Sequence, residues 1–162
     1  MKMLAIDPGF ERVGIAVIQK RAKEKEKLLY SDCFKTSSKL PFSKRLLTIG
    51  NEIEKIIKKY KPGGLAIETL LFNTNQKTAM RVAEARGTII FISKKSGLQI
   101  FEYTPLQVKM AITGYGHATK DQVAAMIPRL ITLDDAKKKL DDELDAIAIG
   151  LTHYAYSAPV EK

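Results

Sequence analysis

The chain has 162 residues, of which 45% are hydrophobic, and its 27 Lys and Arg against 18 Asp and Glu give a formal net charge of +9. This length suits one domain with a sizeable core, and the composition excludes a disordered chain. The positive charge favours a polyanionic partner, nucleic acid before an anionic membrane surface, although a merely basic protein would carry the same charge.

The first half of the chain predicts four strands and one helix. Apolar runs at 3–6, 13–18 and 28–34 are typical of strands in an antiparallel meander, with the charged segment 20–27 at a hairpin tip. A helical pattern follows from 38 to 60, and a strand at 65–67 ends at Glu68. The predicted buried face of the helix consists of Leu46, Leu47, Ile49, Ile53, Ile56 and Ile57.

The second half predicts a long helix at 74–96, a strand at 99–103, and helices at 105–112, 119–129 and 141–155. A strand meander followed by alternating helices and strands predicts an α/β domain with a mixed sheet. We assign residues 1–157 to this single domain and 158–162 to a C-terminal tail.

The location can also be predicted. Cys33 is the only cysteine, so no intrachain disulfide can form and a reducing compartment fits best. Asp7-Pro8-Gly9 interrupts the N-terminus too early for a signal peptide. The longest apolar run, at 89–92, is far shorter than the roughly 20 residues that cross a bilayer. We therefore predict a cytoplasmic protein with no membrane contact.

Two acidic residues, Asp7 and Glu68, each follow an apolar strand and begin a turn. In open α/β sheets the ligand crevice lies at such strand ends, especially between neighbouring strands. Asp7 alone is equally well explained as a turn residue. Glu68 is more informative, because Glu has little preference for turns and here follows a run that should be buried.

Asp142 and Asp145 are three residues apart at the start of the last predicted helix, so they project from one face of it. The apolar sequence at 146–151 packs inward, which places both carboxylates at the edge of the core. The alternative is that they only stabilise the helix N-terminus through its dipole, a contribution of about 0.3–1 kcal/mol per charge.

If these four carboxylates converge, their charges repel strongly unless cations lie between them. Hard divalent ions with oxygen ligands, Mg²⁺ or in its place Mn²⁺, relieve that repulsion. Two such ions about 3.5–4 Å apart activate a water and stabilise the leaving oxygen in phosphodiester hydrolysis. An acidic site in a basic protein therefore favours a nuclease.

Several sequence blocks occur in a specific order along nearly the whole chain. They are MLAIDPG at 3–9, AIE at 66–68, ARG at 85–87, the segment 103–126 with YTP, QVK and TGYG, and DELDA at 142–146. In this order and spacing they resemble the RuvC family of Holliday junction resolvases, within the RNase H-like nuclease superfamily. The segment 103–126 is the most specific block and favours branched DNA as the substrate.

The resemblance implies an RNase H-like fold, a five-stranded mixed sheet with helices on both faces. It also implies a homodimer that nicks symmetric strands of a four-way DNA junction in recombination and repair. The metal ligands and catalytic acids implied by it are Asp7, Glu68, Asp142 and Asp145. It places Lys109 and Lys120 near the scissile phosphate, where they would hold phosphate or stabilise developing charge.

Further DNA contacts are expected in two loops. The family commonly has an aromatic residue three positions after the Glu of its second motif, where it opens or stacks on junction bases. Here Leu71 holds that position and Phe72 follows it. We expect DNA contacts from both, from Asn75 and from His117; the alternatives are that Phe72 fills the core and that Asn75 caps a helix.

Three other residues have structural predictions. His153 and Cys33 are expected in the core. Gly87 interrupts a helix, at a cost of roughly 1 kcal/mol relative to Ala. Close approach of another helix would explain this glycine, in a region where the family dimerises, and loose internal packing is the alternative.

Other functions fit parts of the pattern. A nuclease for RNA or ordinary duplex would share the acids but not the segment 103–126. An actin-like ATPase also begins with a strand and Asp-x-Gly, but it needs a second phosphate loop and a second lobe. A non-catalytic junction-binding module is disfavoured, because clustered acids without metal would repel DNA. The sequence leaves open whether a branch-migration motor is a partner.

Overall fold

A computed structural model of the chain describes residues 1–22, 24–70, 76–133 and 139–157. Three residues predicted to contact DNA, Leu71, Phe72 and Asn75, lie outside the described residues, as does the predicted tail 158–162.

The described residues form strands and helices in the order that the sequence predicts. The elements are β1 (Lys2–Asp7), β2 (Arg12–Gln19), β3 (Lys27–Lys35), α1 (Phe42–Tyr60), β4 (Gly64–Glu68), α2 (Gln76–Lys95), β5 (Gln99–Tyr103), α3 (Pro105–Thr113), α4 (Lys120–Leu130) and α5 (Asp141–Ser157).

The strands form one five-stranded sheet in the order β3-β2-β1-β4-β5. The pairs β1–β2 and β2–β3 are antiparallel, whereas β1–β4 and β4–β5 are parallel. The predicted mixed sheet is therefore confirmed. Because β1, β4 and β5 run in the same direction, their C-terminal ends meet at one edge of the sheet. This edge is called the C-terminal edge below.

Helices cover both faces of the sheet, as predicted. Side chains along a strand alternate between faces, and in β1 Leu4 and Ile6 belong to the core under α1 and α2. Met3 and Ala5 belong to the core on the other face, with α3, α4 and α5. All four are fully buried. The two cores hold the central strands rigidly between two helical layers.

Two details of the predicted first helix are wrong. The helix begins at Phe42 rather than at 38, because Pro41 takes the N-cap position with an extended ψ of 146° and a proline disfavours helical backbone in the residue before it. Leu47 was placed on the buried face, but it is 63% exposed. Helical periodicity predicts a buried position for an apolar residue such as Leu47, but here its side chain lies on the exposed surface of the helix.

Within the described ranges, no helix is both long and apolar enough to cross a lipid bilayer.

Candidate active site

Asp7 and Glu68 lie side by side at the C-terminal edge. The parallel register pairs Ala5 with Ala66 and Ile6 with Ile67, so the next position along each strand brings these two carboxylates together. Neighbouring strands are about 4.8 Å apart. Asp7 is two residues after Ala5 and four after Met3 on β1, so it points to the same face of the sheet, the one that α5 covers.

The start of α5 brings Asp142 and Asp145 to the same edge. Gly14 on β2 is paired with Asp7, and a Cβ built at Gly14 would lie 2.0 Å from the carbonyl oxygen of Asp142 and 3.2 Å from Cβ of Asp7. Only glycine leaves room for such a contact. The first turn of α5 thus rests directly on the backbone of β2, beside Asp7.

A cavity of about 310 Å³ opens at this edge, and three of the four carboxylates line it: Asp7, Glu68 and Asp145. Lys109 of α3 and Lys120 of α4 line it as well. Asp142 is not among the lining residues that the structure describes, although its charge acts on Asp7. The structure therefore gathers the predicted acids and both predicted lysines at one edge.

Burial and mutual repulsion raise the pKa of two of these acids. Burial is the largest cause for Asp7, followed by the charges of Glu68 and Asp145, and together they raise its pKa from 3.8 to about 8 against the opposing charge of Lys120. Burial, then the charge of Asp145, raises the pKa of Glu68 from 4.5 to about 7. Ionising these buried acids together is therefore unfavourable, and a bound cation would relieve that cost.

Two cations pair with the outer acids in this structure. Lys120 Nζ lies 3.0 Å from Asp145 Oδ2, and Asp145 raises the pKa of Lys120 through this hydrogen bond. The guanidinium of Arg12 forms an ion pair with Asp142. In the described part of the chain, no three acidic, His or Cys side chains are arranged to hold one metal ion. The four acids therefore lie at one edge of the sheet. Asp142 must rotate away from Arg12, and Asp145 away from Lys120, before they can bind the same metal ions as the other two.

The environment of Asp142 was not predicted. Cys33 Sγ donates to Asp142 Oδ2 at 3.5 Å, and burial raises the pKa of this thiol. The sequence analysis placed Cys33 in the core, and it is buried, but its contact with an acid was missed. The strand register would have predicted that Cys33 lies near the acids, since Asp7 pairs with Gly14 and Gly14 pairs with Cys33. Cys33 therefore lies in the same row as Asp7.

A family model decides between the enzyme classes that the geometry allows. The model for crossover junction endodeoxyribonuclease RuvC matches residues 3–153. The chain belongs to the RuvC family. The predicted family and its class of enzyme, an endodeoxyribonuclease, are thereby confirmed.

Curated relatives cover nearly the whole chain. The RuvC of Ruminiclostridium cellulolyticum is 42% identical over 153 residues, which are 94% of this chain and 91% of that protein. The RuvC of Caldicellulosiruptor saccharolyticus is 42% identical over 160 residues, covering 99% of this chain and 96% of the relative.

Solved structures agree in fold. Thermus thermophilus RuvC, in complex with a Holliday junction substrate, has a TM-score of 0.89 and 31% identity, covering 97% of this chain and 94% of that one. The yeast mitochondrial Holliday junction resolvase Ydc2 matches with a TM-score of 0.71 at 11% identity, covering 95% of this chain and 78% of that one. The latter supports the RNase H-like fold alone.

RuvC-family nucleases use divalent metal ions, and the acids at the C-terminal edge fit such ions. The donors are carboxylate oxygens, the ligands that hard divalent cations prefer. Burial and then the neighbouring acids raise the pKa of Asp7 and Glu68, so a bound cation would favour the ionised form of both carboxylates. Asp7, Glu68 and Asp145 already line one cavity, and rotation of Asp142 away from Arg12 would add a fourth carboxylate.

Arg86, in one of the RuvC-like sequence blocks, holds the end of β4. Its Nε donates to the backbone oxygen of Glu68 at 2.9 Å, and its guanidinium pairs with Glu102 on β5. The N–H of Thr69 donates to the backbone oxygen of Tyr103 at 2.9 Å. These contacts join the ends of the neighbouring strands and fix the backbone that carries the Glu68 carboxylate.

The two histidines have different surroundings. His153 is 1% exposed, and its Nδ1 lies 3.0 Å from the hydroxyl of Tyr103, so its predicted structural role is confirmed. His117 is exposed in the loop between α3 and α4, with its ring 5.7 Å from that of Tyr115. Its contact with DNA stays a prediction.

The raised pKa values predict how pH changes the stability of the metal-free protein. Unfolding returns the pKa of Asp7 from about 8 to 3.8 and that of Glu68 from about 7 to 4.5. The unfolded chain therefore releases these protons at lower pH than the folded protein does. As a result, the contribution of these two acids to the free energy of unfolding falls as pH rises from about 4 to 8.

Divalent ions should offset this loss, because they bind the ionised carboxylates of the folded state. We expect Mg²⁺ to raise the Tm more near about pH 9 than near about pH 5. Thermal unfolding at both pH values, with Asp7→Asn as the control that weakens the difference, measures it. An equal shift in Tm at the two pH values would contradict this reading of the acids.

Proposed function

We propose that this chain resolves four-way DNA junctions by paired symmetric nicks, through phosphodiester hydrolysis assisted by two Mg²⁺ ions. The observation that carries the proposal is the cavity in which Asp7, Glu68 and Asp145 face Lys109 and Lys120. Acids to hold metal and lysines to hold phosphate are the two chemical parts that such hydrolysis needs. The T. thermophilus relative, whose structure was solved in complex with a Holliday junction substrate, supports the choice of substrate.

The acids and the lysines have separate roles in this mechanism. Asp7, Glu68, Asp142 and Asp145 would hold the ions, which when bound supply a water of lowered pKa and neutralise charge on the phosphate. Mn²⁺ has the same preference for oxygen ligands and is expected to substitute. Lys120 would turn its ammonium from Asp145 to a non-bridging oxygen of the scissile phosphate, where charge develops during hydrolysis.

A substrate comparison tests this function. We expect purified protein with Mg²⁺ to cut a synthetic four-way junction far faster than a linear duplex of the same sequence, and to leave an RNA–DNA hybrid intact. Faster cutting of the hybrid or of the duplex would favour the general nuclease that the sequence analysis considered. Binding to the junction without any cutting would favour a non-catalytic module.

Lys120 provides a test of local against bulk electrostatics. We expect Lys120→Ala to slow junction cleavage by about 10²-fold, because removing one group that stabilises developing charge typically costs 10²–10³-fold. Lys25→Ala removes the same charge from the exposed hairpin tip beyond the far end of β2, and we expect it to have little effect. Similar slowing in the two variants would mean that only overall charge matters.

Homodimer formation is part of the proposal, and an apolar face on α2 supports it. Met80 and Phe91 are 66% and 67% exposed, and a Cβ at Gly87 would meet no atom within 4 Å. Positions 80, 87 and 91 fall on one side of a helix with 3.6 residues per turn. Leu47 on α1, the helix in contact with α2, is a further exposed apolar side chain. A glycine open to solvent lets a partner helix approach closely, and a two-fold dimer presents two equal sites to a two-fold junction.

The dimer is tested by a charge placed in this face. We expect sedimentation velocity to show a dimer for the unaltered protein and a monomer for Phe91→Glu, because burying an unpaired charge in an apolar interface is strongly unfavourable. Tyr156→Glu, at an aromatic residue 54% exposed at the end of α5, is the matched control and should stay dimeric. A monomeric unaltered protein would contradict the proposed symmetry.

Several finer parts of the proposal depend on other observations. The unpaired thiol of Cys33 is consistent with the cytoplasm. DNA contacts by Leu71, Phe72, Asn75 and His117, and a partnership with a branch-migration motor, stay predictions.

A further inference from the structure

The loop between α3 and α4 holds an aromatic side chain out in solvent. Tyr115 is 58% exposed, yet its backbone is fixed on both sides. Its N–H donates to Thr113 Oγ1 at 3.1 Å, and its carbonyl oxygen accepts the N–H of Ala118 at 3.1 Å. An exposed aromatic ring on a fixed backbone loses little conformational entropy when it binds a flat partner.

The glycines on either side of Tyr115 shape this loop, and Gly114 is required by its backbone conformation. Gly114 has a φ of 73°, where a side chain would be strained. A Cβ at Gly116 would lie 2.6 Å from Leu106 Cδ1, so the loop packs against α3 at this point. The sequence Gly114-Tyr115-Gly116 therefore builds a rigid loop whose single large side chain is the Tyr115 ring.

A groove of about 300 Å³ lies between this loop and α4, and Tyr115 lines it together with Gln122, Met126 and Arg129. The groove is called the Tyr115 groove below. Its lining is mostly apolar, with an aromatic face and one guanidinium. This combination suits a nucleotide, whose base stacks on aromatic rings and whose backbone phosphate is attracted by a guanidinium.

The Tyr115 groove is close to the cavity that holds the acids. Lys120 and Val123 line that cavity from one side of α4, whereas Gln122 and Arg129 lie roughly 180–200° around the helix from Lys120. One helix, about 10–12 Å thick with its side chains, separates the two spaces. Nucleotides in a B-form strand rise about 3.4 Å each, so this thickness corresponds to about three nucleotides.

We propose that the Tyr115 groove binds one unstacked nucleobase of the junction strand, within about three nucleotides of the phosphate that is cut. The proposal rests on the function proposed above. Bases at a branch point are less constrained by pairing than bases within a duplex, so a junction offers such a base at low cost. Stacking on Tyr115 would fix the strand while Lys109 and Lys120 hold its phosphate.

The test combines a modified DNA with a modified protein. The cut position is first mapped on one junction with Mg²⁺. Each nucleotide around the cut is then replaced in turn by an abasic nucleotide, and the affinity of the junction is measured in EDTA, where it stays intact. For the unaltered protein we expect one abasic position within about three nucleotides of the cut to lower affinity by roughly 5- to 150-fold, the range for a lost stack.

The variant Tyr115→Ala identifies the group that binds this base. It should bind the intact junction more weakly by a similar factor, and the abasic position should then cause no further loss. Tyr115→Phe keeps the ring and should behave like the unaltered protein. Tyr156→Ala is the matched control, because Tyr156 is comparably exposed but lies at the C-terminal end of α5. This variant should keep the full loss of affinity at the abasic position.

The outcomes separate this proposal from the proposed function. Cleavage of the junction with no abasic position coupled to Tyr115 would overturn the groove proposal and leave the nuclease function intact. Coupling to Tyr156 instead would overturn it as well. Failure to cut the junction would contradict the function. The abasic scan would then cover the nucleotides around the branch point, where a stack on Tyr115 would still appear as coupling in the affinities measured in EDTA.

Discussion

Asp7→Asn is expected to abolish junction cleavage, with a loss on the order of 10³-fold or more, while junction binding is kept or becomes tighter. Asp7 lies at the centre of the acids, and its pKa of about 8 reflects burial beside Glu68 and Asp145. The amide is nearly the same size, so the fold is preserved. It binds a divalent ion more weakly, and at a pH above the Asp7 pKa of about 8 it also removes a negative charge that repels phosphate.

The measurement is cleavage of a four-way junction with Mg²⁺, together with junction affinity in EDTA. Asp141→Asn is the matched control, because Asp141 precedes Asp142 in the first turn of α5 but is exposed and is not among the residues that line the cavity. We expect it to cut at nearly the normal rate. Full cleavage by Asp7→Asn would overturn the assignment of the site.

Gly14→Ala is expected to have the second largest effect, a fall in cleavage of about 10²-fold with the fold retained. The new Cβ would lie 2.0 Å from the carbonyl oxygen of Asp142, so the start of α5 must move by about 1 Å or more, and a misplacement of about 1 Å can cost 10²-fold in rate. The affected atoms belong to the backbone on both sides, so a side-chain rotation cannot relieve the contact.

Gly63→Ala is the matched control for this change. It also adds one methyl group beside a strand of the sheet, but its nearest atom is Met1 Cγ at 3.7 Å, an ordinary contact at the opposite edge. We expect normal cleavage and a nearly unchanged Tm. Equal cleavage by Gly14→Ala and Gly63→Ala would mean that cleavage does not depend on the close contact between α5 and β2 at Gly14.

The sheet and the two acids at its edge could be predicted because both follow from local patterns. The buried run before Asp7 and the run before Glu68 each have the length and composition of a central strand, and the parallel register then places the two carboxylates side by side. The spacing of Asp142 and Asp145 gave their common helix face in the same way. Convergence of the four required the family resemblance, because no local pattern says which edge α5 reaches.

The parts that could not be predicted depend on contacts distant in sequence. The ion pair of Arg12 with Asp142 and the thiol contact of Cys33 need the register of three strands and the position of α5 at once. Leu47 was misplaced because helical periodicity assumes a single buried side, and this helix also presents apolar surface to solvent. Pairing of Asp145 with Lys120 likewise depends on how α4 packs against α5.

The central claim is that these acids serve a metal-dependent cut of branched DNA, and one measurement tests it most directly. A synthetic four-way junction with labels on all four strands is incubated with the protein, with Mg²⁺ or with EDTA. We predict nicks at symmetric positions in two opposing strands, present only with Mg²⁺, and ligatable duplex products. Nicks in one strand alone, nicks without symmetry, or cleavage in EDTA would contradict it.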